Sequence, residues 1–182
     1  MFEQILIAGF GGQGVLKLGR FLALAGMAEG YHVTWAPSYG AAMRGGTANC
    51  TVTIADGDIN TPLTDFPRQA IVLNQPSMDR FEAGIVPGGM MLVNTSMTNR
   101  EPQRNDIQVF EMPVNQIAEE LGLELGANMV LLGAYVRKTG LVAVETALQT
   151  ISDTFYDKGP QIIENNRAAF RAGLEYADHC WG

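Results

Sequence analysis

Residues 9–14 constrain this chain more than any other stretch. Gly9-Phe10-Gly11-Gly12-Gln13-Gly14 puts four glycines into six positions and fits the spacing G-x-G-x-x-G. A short apolar run, Gln4-Ile5-Leu6-Ile7-Ala8, leads into it and reads as a buried strand. Over residues 13–29, Val15, Leu18, Leu22 and Ala25, with Leu16 and Phe21, recur at helical spacing, and Gly30 is a natural stop. Residues 32–36 read as a second strand, so the chain opens as β-loop-α-β, the size of one nucleotide-binding unit. Glycines let the backbone turn tightly and approach an anion, and the helix start adds free N–H groups and a positive dipole end. The same glycines also allow close helix–strand packing with no ligand, and both readings stand at this point.

Two specific chemistries are disfavoured. A phosphate loop of the Walker type needs Lys-Ser or Lys-Thr after its last glycine, whereas Val15-Leu16 follows here. A dinucleotide fold wants a carboxylate at the end of the second strand to hold the ribose. That position reads Thr34-Trp35-Ala36-Pro37, with neither an acid nor an arginine. Lys17 and Arg20 lie near the start of the helix, where cations oppose its dipole; they serve either a bound phosphate, an acidic partner or solvent.

A second glycine-rich loop spans residues 37–48 and contains Tyr39, Arg44, Gly45 and Gly46. It follows a parallel-type strand, which places its start on the carboxyl rim beside the loop at 9–14. Arg44 before two glycines suits an anion cradle, or equally an ordinary surface turn. Residues 49–55 have strand composition, and the connection before them is too short for a helical crossover, which predicts an antiparallel strand. Further strands are expected at 70–74, 90–94 and 106–111, and helices at 114–121, 127–138, 143–156 and 160–177. Asn74-Gln75-Pro76-Ser77 either joins the polar rim or contains a helix cap made by Ser77. Asn128 reads as a cap or a structural amide. The expected fold is α/β, a single three-layer domain over residues 1–182, with a mixed, mostly parallel sheet and a helical C-terminal third.

The composition narrows the function classes. Among 182 residues, 47% are apolar and 17% are charged, which excludes a disordered chain; the charged fraction is low for a globular surface. Net charge is −7 with no basic run, which argues against nucleic-acid binding. No apolar stretch approaches a membrane span, and Met1-Phe2-Glu3-Gln4 does not resemble a secretion signal, so a cytoplasmic location is expected. Two cysteines, Cys50 and Cys180, and two histidines, His32 and His179, stand at no ligand spacing, so neither an iron–sulfur cluster nor zinc is expected on this chain. No nucleophile elbow, triad or carboxylate pair is present, and no catalytic residue is assigned. An anion-friendly rim without acid–base groups suggests a subunit whose chemistry lives elsewhere. A stand-alone nucleotide-binding dehydrogenase and a ligand-free scaffold module are the competing readings.

Taken together, Gly-Phe-Gly-Gly-Gln-Gly at 9–14, Ser-Tyr-Gly at 38–40, Arg-Gly-Gly at 44–46 and Asn-Met-Val-Leu-Leu-Gly at 128–133 resemble the gamma subunit of 2-oxoacid:ferredoxin oxidoreductases. Trp35-Ala36-Pro37, Asn74-Gln75-Pro76-Ser77 and Pro87-Gly88-Gly89 strengthen the likeness, which runs from residue 3 to about 175. The resemblance implies a Rossmann-like domain in an enzyme that oxidatively decarboxylates a 2-oxoacid, passes the acyl group to coenzyme A and reduces ferredoxin. It implies alpha and beta partner subunits, with a ferredoxin-like delta subunit as a further partner. It places thiamine diphosphate and the iron–sulfur clusters on those partners and links this chain with coenzyme A. The ligand-binding residues it suggests are Gly9, Gly11, Gly12, Gln13, Gly14, Tyr39, Arg44, Gly45 and Gly46. The Asn-Gln-Pro-Ser variant points to 2-oxoglutarate or a branched-chain oxoacid. Ala42 stands where family members often carry Glu, which leaves that glutamate's contact without a counterpart.

Overall fold

A computed structural model describes residues 1–39, 47–123 and 126–182. Six strands form one sheet: β1 (Phe2–Phe10), β2 (His32–Tyr39), β3 (Thr47–Ala55), β4 (Gln69–Val72), β5 (Met90–Asn94) and β6 (Gln108–Met112). Their spatial order is β2-β3-β1-β4-β5-β6. β1, β4, β5 and β6 run parallel, and β3 runs antiparallel to both β1 and β2, as its short connection required. The start of the second loop, expected beside the loop at 9–14, is one strand removed from it. The two parallel strands of the opening β-loop-α-β unit are not neighbours, because β3 enters between them. The second loop leaves the same rim as the first, since Tyr39 and Gly9 both face Ala48, but one strand further along.

The six helices are α1 (Val15–Ala28), α2 (Gln75–Phe81), α3 (Val114–Glu120), α4 (Ala127–Thr139), α5 (Val144–Thr154) and α6 (Pro160–Trp181). Odd-numbered β1 residues Ile5 and Ile7 join Cys50, Val52 and Ile54 of β3 in a large core with α1, α3, α4, α5 and α6. The opposite face of β4 and β5, with Ala70, Val72, Met91 and Val93, packs on Met78 of α2. Strands buried on both faces explain the continuous apolar runs that marked them in the sequence.

α2 follows a strand that ends two residues earlier than expected. Pro76 belongs to its first turn, where a missing N–H costs nothing. Its cap is Asn74, not Ser77: Asn74 Oδ1 accepts from the Ser77 N–H at 3.0 Å, while the buried Ser77 hydroxyl has no partner among the described residues. Beyond α2, the segment connecting β5 to β6 is strapped down by charge. Glu82 is buried and accepts from Arg100 at 2.9 Å and from the backbone N–H groups of Gln103 and Arg104. Arg100 also donates to Asp79 at 2.7 Å, which holds that carboxyl below its usual range. Glu82→Gln keeps the shape but removes the charge that orients Arg100. It is expected to lower unfolding free energy by about 1–2 kcal/mol, read as a shift of the urea midpoint at unchanged slope.

α4 and α6 cross in backbone contact. A Cβ on Gly133 would stand 2.0 Å from the Phe170 carbonyl oxygen, and one on Gly173 would stand 1.9 Å from the Val130 carbonyl oxygen.

Candidate functional site

α1 lies on one face of the sheet and α2 on the other, so the carboxyl ends of β1 and β4 form a switch point where the chain departs in opposite directions. In open α/β sheets ligands bind in such crevices. The glycine loop sits there. Gly11 lies in the turn after β1, and Gly12 and Gly14 take φ of +101° and +79°, conformations that side chains rarely adopt. Gly9 is needed for space: a Cβ there would meet Gln13 Oε1 and Val15 Cγ2 at 2.8 Å.

Gln13 is the only side chain between the last three glycines, and it points inward. Its Oε1 accepts from the Phe10 N–H at 2.6 Å and from Asn74 Nδ2 at 2.8 Å. Its Nε2 donates to the Leu73 carbonyl at 3.4 Å. The glycine loop is thus tied to the end of β4 through one carboxamide. Asn94 does the same one strand further on. Its Nδ2 donates to Leu73 O and Asn115 Oδ1, and its Oδ1 accepts from the N–H groups of Ser96 and Val114. Sequence reasoning passed over Asn94. The available signal was a lone amide closing an apolar strand, the same pattern as Asn74.

These elements border a cleft of about 650 Å³. Gly12–Gly14 and Lys17 form one wall, Leu73 and Asn94 the floor, and Asn128, Asn165 and Asn166 the far side. Lys17 is exposed and faces the cleft; Arg20 is exposed but does not line it. α1 starts without a side-chain cap and without an acid in its first turn, so its leading N–H groups are open to an anion. Tyr39 ends β2, paired through its backbone with Ala48. Arg44, Gly45, Gly46 and Ala42 lie outside the described residues. Cys50 is a core residue as expected: it is fully buried, and burial pushes its thiol up to about 12. A neutral thiol at that position is inert.

Gly14→Ala tests the loop geometry. Its Cβ would meet Asn128 Nδ2 at 2.7 Å and force a left-handed alanine, and a loss of about 1–3 kcal/mol in thermal unfolding is expected.

The family model described as pyruvate ferredoxin/flavodoxin oxidoreductase matches residues 4–176. The chain belongs to this family. Within the pyruvate ferredoxin/flavodoxin oxidoreductase family, the ketoisovalerate oxidoreductase subunit VorA of Methanothermobacter thermautotrophicus is 37% identical over 176 residues. That alignment covers 96% of this chain and 36% of VorA, so the chain spans about a third of that relative's length. The keto/oxoacid ferredoxin oxidoreductase gamma subunit from Geobacter sulfurreducens superposes with a TM-score of 0.82 at 30% identity, covering 98% of this chain and 99% of that one. A 2-oxoglutarate:ferredoxin oxidoreductase from Magnetococcus marinus, with 2-oxoglutarate, coenzyme A and succinyl-CoA bound, superposes with a TM-score of 0.90 at 25% identity, covering 98% of this chain and 31% of that one. The mixed sheet and helical C-terminal third anticipated from the sequence are therefore those of the family. No helix among the described residues is long and apolar enough to cross a membrane.

Proposed function

We propose that this chain, a single domain of residues 1–182, is the gamma subunit of a multisubunit 2-oxoacid:ferredoxin oxidoreductase and brings coenzyme A to the complex. The observation that carries the reading is the uncapped start of α1 opening, through the glycine loop, onto a cleft walled by amides and Lys17. Coenzyme A brings phosphates for the helix start and a chain of amides for the carboxamide walls. The coenzyme A in the Magnetococcus marinus structure supports the choice of ligand. In this reading the alpha and beta subunits carry thiamine diphosphate and the iron–sulfur clusters, with a ferredoxin-like delta subunit as a further partner. The oxoacid is decarboxylated on those partners, its acyl group passes to coenzyme A, and its electrons pass to ferredoxin in the cytoplasm. This chain's residues bind and orient coenzyme A; none is assigned a bond-making step. The branched-chain oxoacid in VorA's name and the 2-oxoglutarate of the Magnetococcus marinus structure match the two substrate classes suggested by Asn-Gln-Pro-Ser.

The test is anaerobic affinity purification from the native cells, followed by viologen reduction with each oxoacid. Co-purifying thiamine and cluster subunits, and a reduction rate that depends on coenzyme A, are expected. A chain that purifies alone and quenches NADH fluorescence on titration would favour the dehydrogenase instead.

A further inference from the structure

Thr34 Oγ1 is one of three buried side-chain polar atoms without a hydrogen-bond partner among the described residues. The other two, Ser77 Oγ and Arg167 Nε, belong to helices, whereas Thr34 sits within β2 at the edge of the sheet. Thr34 is opposite Thr53 of β3, and Thr53 is opposite Gln4 of β1. Gln4 Nε2 donates to Thr53 Oγ1 at 3.4 Å, so a row of polar side chains crosses one face of the sheet and ends at the edge on an unused hydroxyl. A buried hydroxyl without a partner costs free energy, so such a group is retained where something else satisfies it.

The edge on which that row ends is open. Among the described residues β2 pairs with β3 alone. The opposite edge, β6, carries Glu111 and is covered by α6: the Tyr176 hydroxyl donates to the Glu111 carbonyl at 3.4 Å, and Trp181 packs on Phe110 with ring centroids 5.3 Å apart. β2 has neither device, and it contains no Lys, Arg, Asp or Glu. Sheets ordinarily blunt an edge with charge or cover it unless another strand pairs there. The direction of the β2 backbone groups follows from its neighbours. The Asp56 N–H donates to the Met1 carbonyl, so even-numbered β3 residues face β1 and odd-numbered ones face β2. In the β2–β3 register the even-numbered residues of β2 then bond to β3, and Val33, Trp35 and Pro37 turn their backbone groups outward. Pro37 has no N–H, and the Tyr31 N–H is spent on the Gly26 carbonyl. The open donors between Tyr31 and Pro37 are the N–H groups of Val33 and Trp35, placed symmetrically about Thr34.

We propose that two copies of this chain pair through β2, antiparallel, about a two-fold axis at Thr34. In that register the N–H and C=O groups of Val33 exchange hydrogen bonds with those of Trp35 of the second copy, and reciprocally. The ladder stops at Tyr31 and Pro37, where the donors run out. Thr34 faces its own counterpart in a non-hydrogen-bonded position, where side chains come closest. A hydroxyl both donates and accepts, so two identical ones satisfy each other. Thr34 as a residue is half-buried, and a turn about χ1 carries its hydroxyl to the edge. Gln4, Thr53 and Thr34 of both copies become one polar row across a continuous sheet. A second copy is the occupant because an edge whose donors and unused hydroxyl are symmetric about one residue is its own complement. A chain of net charge −7 also meets its copy here without setting acids against acids. On the α1 face, the exposed side chains of Trp35 and Met27 flank the pairing: Trp35 lies against Gly19, and Gly26, next to Met27, lies against Val33. They supply the apolar cover that a short ladder lacks. β2 does not line the cleft, so the pairing stands independently of the coenzyme A reading.

Sedimentation of the full chain tests the pairing, and a concentration-dependent monomer–dimer equilibrium is expected. Thr34→Lys sets two ammonium groups against each other on the axis and should weaken dimerisation by about tenfold or more. Thr34→Val keeps the shape and removes the hydroxyl. It should weaken dimerisation about two- to fivefold without lowering the melting temperature of the dilute monomer, in which that hydroxyl bonds nothing. Cross-linking reads the register and does not depend on whether Thr34→Lys folds. In a Cys180→Ser background, which removes the exposed thiol, diamide should couple Thr34→Cys chains into a disulfide-linked dimer. Facing Cα atoms about 4.5 Å apart lie within disulfide reach. His32→Cys in the same background, two residues off the axis, should stay uncoupled. A chain that remains monomeric at every concentration overturns the proposal. So does a dimer that Thr34→Cys fails to couple, that couples through His32→Cys instead, or that a folded Thr34→Lys variant leaves intact.

Discussion

Gly133→Ala is expected to lower stability by about 3 kcal/mol or more, among the largest effects of one added methyl group at the described glycines. The new Cβ would lie 2.0 Å from the carbonyl oxygen of Phe170, less than two-thirds of an ordinary contact. A clash with the end of a flexible side chain relaxes by rotation. A clash with a backbone carbonyl inside a helix relaxes only by moving the helix. α4 and α6 would have to separate along a seam that buries Val130, Ala134, Phe170 and Leu174, which opens voids on both sides. Gly173→Ala meets the Val130 carbonyl at 1.9 Å and should behave alike, and the double variant should cost less than the sum, since one separation relieves both clashes. For a chain of this length the loss corresponds to a melting temperature lower by roughly 6–12 °C. Gly57→Ala is the control: no atom lies within 4 Å of its Cβ, and a change within about 0.5 kcal/mol is expected. An unchanged urea midpoint for Gly133→Ala would mean that the two helices do not touch.

Arg44→Ala is expected to leave the assembled enzyme able to decarboxylate but poor at using coenzyme A. Arg44 is the only cation between residues 37 and 48, a loop that starts on the rim bearing the glycine loop. A charge-assisted contact to phosphate contributes about 1.5–3 kcal/mol, so apparent coenzyme A affinity should fall roughly ten- to a hundredfold. Isotope exchange into the oxoacid without coenzyme A should be nearly unchanged, because in the proposed complex that step belongs to a partner subunit. Arg44→Lys should rescue in part, since an ammonium lacks the bidentate fork. Unaltered coenzyme A kinetics together with failed assembly would make Arg44 an interface residue.

Most of the fold was legible because its signals are local. The parallel strands β1, β4 and β5 are buried on both faces and so read as apolar runs, and Gly30, Gly140 and Pro160 mark helix ends. The short chain between β2 and β3 left an antiparallel return as the simplest path. α2 was harder to see: seven residues carry too little periodicity, and Pro76 reads as a breaker until Asn74 is recognised as the cap before it. The insertion of β3 between β1 and β2 is a matter of long-range pairing that no local pattern encodes. At the site, the glycines declared themselves through composition. Gln13 entered there through the family motif as a ligand contact, and its loop-fastening role, like Asn94 itself, was missed, because an amide that fastens two loops looks the same in sequence as one facing water.

The insertion of β3 also sets a limit on what this scaffold can be converted into. Adjacent strands lie about 4.8 Å apart, so two steps put the tip of β2 roughly 10 Å from the tip of β1. In dinucleotide-binding folds the ribose is gripped from the strand next to the glycine loop. Here that neighbouring track is occupied by a strand running the other way, which presents its beginning, Thr47-Ala48-Asn49, where a carboxylate-bearing end is required. Grafting an acid onto the end of β2 would therefore leave it one strand width short of any ribose held at Gly9–Gly14. The usual grip on a dinucleotide ribose is therefore not restored by a point substitution at the end of β2.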